Sequence, residues 1–411
     1  MLAVLPFQNF SGDARQDFAS DAMTEEMITH LGRMAPQALG VIARTSVMKY
    51  RDSHADVRQI ARELGVSYVL EGSLRRSQKR IDVTAQLIQA SDQAHLWAES
   101  YDRATGDLFT IEREIARRIA QSLALQLLPA QETALARAST VNTEAYEAYL
   151  EGRQHLEEGS EAGFRGAAES FERATRLDPN YALAYDGLAK AYLQEADYHF
   201  ISTADGVARA RPAIDKALAL DETIPESHVM LAQVLRLSAP HDSGIDGAYR
   251  RALALNPSDA DAHAAYAFFL RDNQQYEQAL AEAQEALRLD PRAPFSHVMI
   301  GWVRLSMQQR DEAERQFQGA LALDPNYPAG LYFLARTRQE QGRVPEAIDL
   351  LRRALTSAGR KPKYLYALAN AYAAAGQRDE AQKILDELRQ QSKHAYVDPV
   401  MISSLAAKLK G

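Results

Sequence analysis

A 34-residue step runs through the second half of this chain and constrains it more than any other feature. The phrase Ala-Leu-x-Leu-Asp-Pro occurs at residues 286–291 and 320–325, and Asn256 replaces Asp in the copy at 252–257. Pro257, Pro291 and Pro325 are thus 34 residues apart, and Asp178-Pro179 and Asp221-Glu222 continue the series upstream. Other columns keep the same step. Ala189, Ala232, Ala267, Gly301, Ala335 and Ala369 place a small residue in a first helix. Ala279, Ala313, Ala347 and Ala381 place one in a second helix, and Phe171, Ile214, Tyr249, Phe317, Leu351 and Leu385 form a bulky column four residues later. Small residues let two helices approach closely, and bulky ones fill the groove beside them. Proline stops the second helix of each unit.

This pattern resembles the tetratricopeptide repeat, and residues 144–395 are similar to seven such repeats. Departures from the pattern are Glu222 and Gly359 at the terminal proline, Ile245 at an alanine position and Ala283 in the bulky column. The repeat at 182–224 carries about nine extra residues near Asp197 to Asp205, expected as a longer inter-helix loop. The resemblance implies an all-α superhelical solenoid that buries its core only by stacking, with the first helices lining a concave face. Residues 396–411 read as one further helix, either a cap or the start of another repeat.

Residues 1–128 read as a small mixed α/β domain, giving a multi-domain α+β chain with residues 129–143 as linker. Leu2 to Phe7 is an apolar run followed by turn chemistry at Asn9 to Asp13, and apolar spacing predicts a helix over 17–34. Leu39 to Ala43 reads as a strand, and Val57 to Leu64 as a helix closed by Gly65. Val66 to Leu74 and Ile81 to Ala90 form an expected hairpin, His95 to Tyr101 a further strand, and Leu108 to Leu127 an amphipathic helix. The strings VLPFQNFSGD, VIARTSVMKY, ELGVSYVLEGSLRR and HLWAESYDR resemble a bacterial domain related to the amino-terminal domain of TolB. That resemblance implies a regulatory setting, as in repeat-containing transcriptional regulators and adenylate-cyclase-type signalling proteins. Such relatives carry an effector domain and a membrane span upstream, and this chain opens within its first strand, as a segment of a longer protein would.

Composition narrows the chemistry. The net charge is −8, of which residues 1–140 carry −1 and the remainder −7, so neither part has the basic character that holds a phosphate backbone. The chain has no cysteine, which excludes disulfides, thiolate catalysis and zinc–thiolate sites. No phosphate loop, dinucleotide fingerprint, nucleophile elbow or His-Glu-x-x-His motif is present, and no two of the 10 histidines stand four apart on a helix. The expectation is therefore a non-enzyme without cofactor or metal. With no signal peptide and no apolar run long enough to span a bilayer, the address reads as cytoplasmic, or periplasmic if a membrane span precedes this segment.

Two candidate sites remain. The loop Asn9, Ser11, Gly12, Asp13 lies between a strand and a helix, where helix amides favour anions, although the same residues make ordinary turns and caps. The hairpin tip Arg75, Arg76, Lys79, Arg80 reads as a solvated turn, and Trp97 and Tyr101 as core. The repeat register aims two residues four apart at the concave face: Asp186/Lys190, Val229/Gln233, Ala264/Phe268, Val298/Trp302, Tyr332/Arg336 and Tyr366/Asn370, with Met230, Met299 and Phe333 alongside. The Lys/Asn carboxylate clamp of chaperone-tail-binding relatives is missing from this set. The predicted partner site is Phe268, Val298, Met299, Trp302, Tyr332, Phe333, Arg336, Tyr366 and Asn370, suited to an apolar or helical peptide. The leading expectation is a protein-interaction scaffold in a signalling protein; the alternative is a small-molecule sensor whose ligand sits in the α/β domain.

Overall fold

The computed structural model describes all residues except 14–16, 35–37, 52, 54, 78–79, 105–107, 126–139, 141, 199, 394–396 and 411. The linker expected at 129–143 therefore falls mostly outside the described residues, as do Lys79 and Leu127.

The amino-terminal elements are β1 (Leu2–Val4), β2 (Gln8–Asn9), α1 (Asp17–Met34), α2 (Arg44–Val47), α3 (Val57–Leu64), β3 (Tyr68–Arg76), β4 (Arg80–Gln89), β5 (His95–Ala104) and α4 (Leu108–Ser122). The sheet order is β1-β3-β4-β5, with β2 also on β3. β1 and β2 run parallel to β3, pairing Leu2 with Tyr68 and Gln8 with Ser73. The hairpin is antiparallel from Tyr68↔Gln89 to Arg76↔Ile81. α3 starts on an Asp56 cap whose carboxylate accepts from Gln59 N at 2.7 Å, and ends on left-handed Gly65. Its Ile60, Ala61 and Leu64 bury against Ala3 and Val69. In α4, Ile111, Ile115 and Ile119 are fully buried.

Three local expectations change. Leu39 to Ala43 is not a strand: only Val41 bridges Leu2, and the flanking amides leave the sheet, Val41 N for Ser258 Oγ (3.1 Å) and Ala43 N for the Leu289 carbonyl (2.9 Å). α4 ends at Ser122, before a turn with Ala124 at φ 51°. Tyr101 is buried, but Trp97 on the edge strand β5 is only half-buried, its Nε1 donating to Glu99 at 3.2 Å.

Fifteen helices follow among the described residues. They are α5 (Thr143–Glu157), α6 (Glu161–Leu177), α7 (Ala182–Asp197), α8 (Thr203–Leu220), α9 (Pro225–Ser238), α10 (Gly244–Leu255), α11 (Ala260–Asp272), α12 (Tyr276–Leu289), α13 (Pro294–Ser306), α14 (Arg310–Leu323), α15 (Pro328–Glu340), α16 (Val344–Ala358), α17 (Pro362–Ala374), α18 (Arg378–Gln391) and α19 (Pro399–Lys410). The extra residues of the second pair do not make a long loop: α7 and α8 lengthen to 16 and 18 residues and leave only 198–202 between them. The small and bulky columns are buried. Two compact units divide the chain: Met1–Ala196 with Thr203–His263 and Leu289–Pro291, and Asp197–Ser202 with Ala264–Arg288 and Arg292–Gly411.

The period also fixes the turns. Gln274, Gln308, Gly342 and Gly376 stand 34 residues apart, and all have positive φ, at 61°, 63°, 77° and 75°. In each turn the next amide returns to a carbonyl five residues back: Gln275 to Leu270, Gln309 to Arg304, Arg343 to Arg338 and Gln377 to Tyr372, at 2.8–2.9 Å. Left-handed backbone costs a glutamine about 1 kcal/mol that glycine avoids. Gln308→Gly should raise unfolding stability by up to about 1 kcal/mol and Gly342→Ala should lower it by about as much, read by urea titration.

Candidate functional site

In the unit containing Phe268 to Tyr366, first helices bring rings into one ladder. Phe268 and Trp302 meet edge-on at 5.0 Å, Trp302 and Phe333 lie 4.9 Å apart, Tyr332 and Phe333 5.1 Å, and Tyr332 and Tyr364 5.9 Å. Cations pack against these rings, Arg271 buried and paired with Asp272, Lys363 exposed. The Arg271 guanidinium carbon is 3.3 Å from the Trp302 ring centre and 4.5 Å from that of Phe268, and Lys363 Nζ is 4.7 Å over Tyr332. Phe268, Trp302, Tyr332 and Arg336 keep part of their surface exposed.

The structure redraws the rest of the predicted site. Val298, Met299 and Phe333 are buried at 1%, 0% and 4% exposure, and Phe333 stacks on Phe317 at 5.6 Å. They are core, because the neighbouring pair covers a wider stripe of each first helix than two residues per unit. Tyr366 and Asn370 are met by α19 of the same chain: Tyr366 Oη contacts Ser404 Oγ at 3.0 Å, and Lys408 Nζ donates to Asn370 Oδ1 at 3.0 Å. The loop Asn9 to Asp13 spends its polar groups on itself, with Ser11 N and Oγ donating to Asn9 Oδ1 and Asn9 Nδ2 donating to Asp13 O and Asp17 Oδ1. At the hairpin tip Arg76 pairs with Glu147 and Arg80 with Asp102.

In the other unit, first helices of the early repeats face the α/β domain across a cleft of about 350 Å³. One wall is Glu25, Glu26, His30, Arg33 and Arg44; the opposite wall includes Arg153, Asp186, Lys190, Glu226 and Asp261. Arg153 donates to Glu26 Oε1 at 2.8 Å and pairs with Glu25, Arg44 pairs with Glu157 at 3.0 Å, and Arg33 donates to the Thr223 carbonyl at 2.7 Å. Burial pushes Asp186 up to about 7, helped by Glu226 and opposed by the Ser227 hydroxyl (2.9 Å) and Lys190. Burial pushes His30 down to about 4, with Arg33 and Arg113 adding to the shift. Glu112 on α4 is held well above the carboxylate range by burial and by Glu26. The sequence points to neither this cleft nor the group Glu26, His30, Glu112 through paired histidines; its one signal is the Glu-x-x-x-His spacing on α1.

Family comparisons complete the picture. Residues 248–281, 298–363 and 339–401 each match a tetratricopeptide-repeat model, and residues 1–121 match the second domain of HilA/YgeH-like transcriptional regulators. The chain is a tetratricopeptide-repeat protein with a regulator-like amino-terminal domain. The TolB-like strings thus lie inside a match to a regulator domain. A "Putative adenylate cyclase 3" of Rhizobium meliloti is 36% identical to the repeat protein over 239 residues, which is 57% of this chain and 40% of that relative. Among solved structures, a monomeric mutant of IFIT1 with m7Gppp-AAAA is similar at a TM-score of 0.53 and 16% identity, covering 73% of this chain and 68% of that one. A tetratricopeptide repeat protein from Parabacteroides merdae follows at 0.49 and 13%, covering 66% and 100%. The likeness to the IFIT1 structure bears on the fold alone.

The raised Asp186 has a sign that can be measured. Its folded pKa, about 7, exceeds the ordinary 3.8, so the folded state holds the proton more tightly. Its unfavourable contribution is absent below about pH 4, grows as pH rises towards 7 and is complete above it. Asp186→Asn keeps an oxygen for Ser227 and should gain on wild type by a kilocalorie per mole or more between pH 5 and pH 8, in order-of-magnitude terms. An unchanged gap in denaturant stability at the two pH values would show that the carboxylate carries no such penalty.

Proposed function

We propose that this chain is a non-enzymatic interaction module, divided into an α/β domain at 1–128, a linker at 129–143, seven repeats at 144–395 and a closing helix at 396–411. Its partner-binding surface is the cation-rimmed aromatic ladder at Phe268, Trp302, Tyr332 and Arg336. The observation that carries this reading is the ladder, partly exposed, with Lys363 over Tyr332 and Arg336 beside Phe333, while Arg271 is buried under the rings and paired with Asp272. Rings with cations beside them favour a partner that offers both apolar surface and carboxylates. α19 supports a helical occupant, since it seats on the last unit's Tyr366 and Asn370 through Ser404 and Lys408, four residues apart. The regulator-like domain and the putative cyclase relative favour a signalling role within a longer protein, whose effector activity would reside outside these residues. No helix among the described residues is long and apolar enough to cross a membrane.

The small-molecule sensor reading draws on a different observation, the charged cleft between α1 and the first repeats. It would place a polar ligand there and not at the Asn9 loop.

Displayed peptide libraries selected on the full chain test the first reading. Selected sequences should carry an acidic residue within one helical turn of an apolar anchor. Trp302→Ala with Tyr332→Ala, and separately Arg336→Glu, should weaken the selected peptides by about tenfold or more while helical circular dichroism is retained. Equal binding by all variants would remove the ladder from the reading.

A further inference from the structure

Glu26 and His30 stand four residues apart on α1, so they share one helical face, and α4 brings Glu112 against them. One donor atom from each lies within 4.8 Å of the other two. Glu112 is fully buried, and neither of its carboxylate oxygens meets a hydrogen-bond donor among the described residues. The Nδ1 of His30 is also buried without a partner. A buried carboxylate with no donor is costly, and α4 is otherwise well served by apolar side chains at Ile111, Ile115 and Ile119. A glutamate in that row calls for a compensating charge.

We propose that Glu26, His30 and Glu112 bind one divalent first-row transition-metal ion. Two carboxylate oxygens and one imidazole nitrogen form a mixed O/N donor set of the kind that manganese, iron and zinc accept. Ligand distances of about 2.0–2.2 Å put donors on opposite sides of an ion roughly 4 Å apart, so the spread here closes with side-chain adjustment. Burial keeps the His30 imidazole neutral, which is the ligating form. Glu26 gives one oxygen to Arg153, and outer hydrogen bonds of that kind orient a ligating carboxylate. Arg153 lies on α5, so the ion braces α1 against α4 and, through Glu26, steadies the contact with the first repeat.

The test uses the full chain, stripped with chelator and titrated with Co²⁺ and with Zn²⁺. One ion per chain should bind, Co²⁺ should give the visible bands of a low-coordinate N/O site, and the thermal midpoint should rise with Zn²⁺. Glu112→Gln, which is neutral and of equal size, and His30→Gln should each weaken binding by about tenfold or more with circular dichroism unchanged. His241→Gln, at an exposed histidine, should bind as wild type does. Failure of the wild-type chain to bind either ion, or equal binding by Glu112→Gln and His30→Gln, would overturn the proposal. Should one variant fail to fold, the other decides.

Discussion

Close approach between paired helices is the constraint on which the repeat region rests. Gly152 and Gly187 both lie against the ring of Phe171, where an added Cβ would come within 2.7 and 2.5 Å of it. Gly301 stands in the same relation to Phe317, at 2.5 Å. At such distances nothing larger than hydrogen fits, so the ring fills the space that glycine leaves and the helices interlock. Where the column holds alanine, the opposing residue adapts, as Leu351 and Leu385 do opposite Ala335 and Ala369. One pair cannot bury both of its faces, which is why the spacing has to recur for any single copy to be stable.

The same register serves two kinds of surface. In the early units charged first-helix residues face the α/β domain, with Arg153, Lys190 and Glu226 set against Glu25, Glu26 and Arg33. Gly32 on α1 approaches so closely that a Cβ would lie 2.7 Å from Asn256 Oδ1. Directional bonds cross that seam, including Arg33 to the Thr223 carbonyl and Val41 N to Ser258 Oγ. Polar seams discriminate between partners well and tolerate unpaired charge poorly. The raised pKa values of Asp186 and Asp259, both pushed up to about 7 chiefly by burial, record that intolerance.

Most of the architecture is legible in the sequence because it follows from spacing. Helix pairs follow from the alanine and proline columns, and the hairpin from alternation around 77–79. The left-handed turns also repeat every 34 residues, although glutamine occupies two of them and hides the signal that glycine would give. Residues whose environment depends on a distant element were not legible. Helical register places Val298, Met299 and Phe333 beside the exposed positions, but the width of the buried stripe depends on the next helix pair. Tyr366 and Asn370 look open until α19 is placed on them. Glu112 sits in a run of isoleucines that reads as an ordinary amphipathic helix, and its relation to Glu26 and His30 exists only once α1 and α4 pack together.

These placements bound where a partner can dock on the repeat column. At Asp186 and Lys190 the α/β domain already forms the opposite wall. At Tyr366 and Asn370 the chain's own last helix is seated. Within the unit that holds Phe268 to Tyr364, Phe268, Trp302, Tyr332 and Arg336 stay partly exposed, and buried Phe333 joins the Trp302 and Tyr332 rings beneath them. Partly exposed rings with Arg336 and Lys363 beside them stand apart in a chain whose net charge is −8. On the reading proposed above, an acidic partner would be attracted at this stretch, where charge and exposed rings coincide.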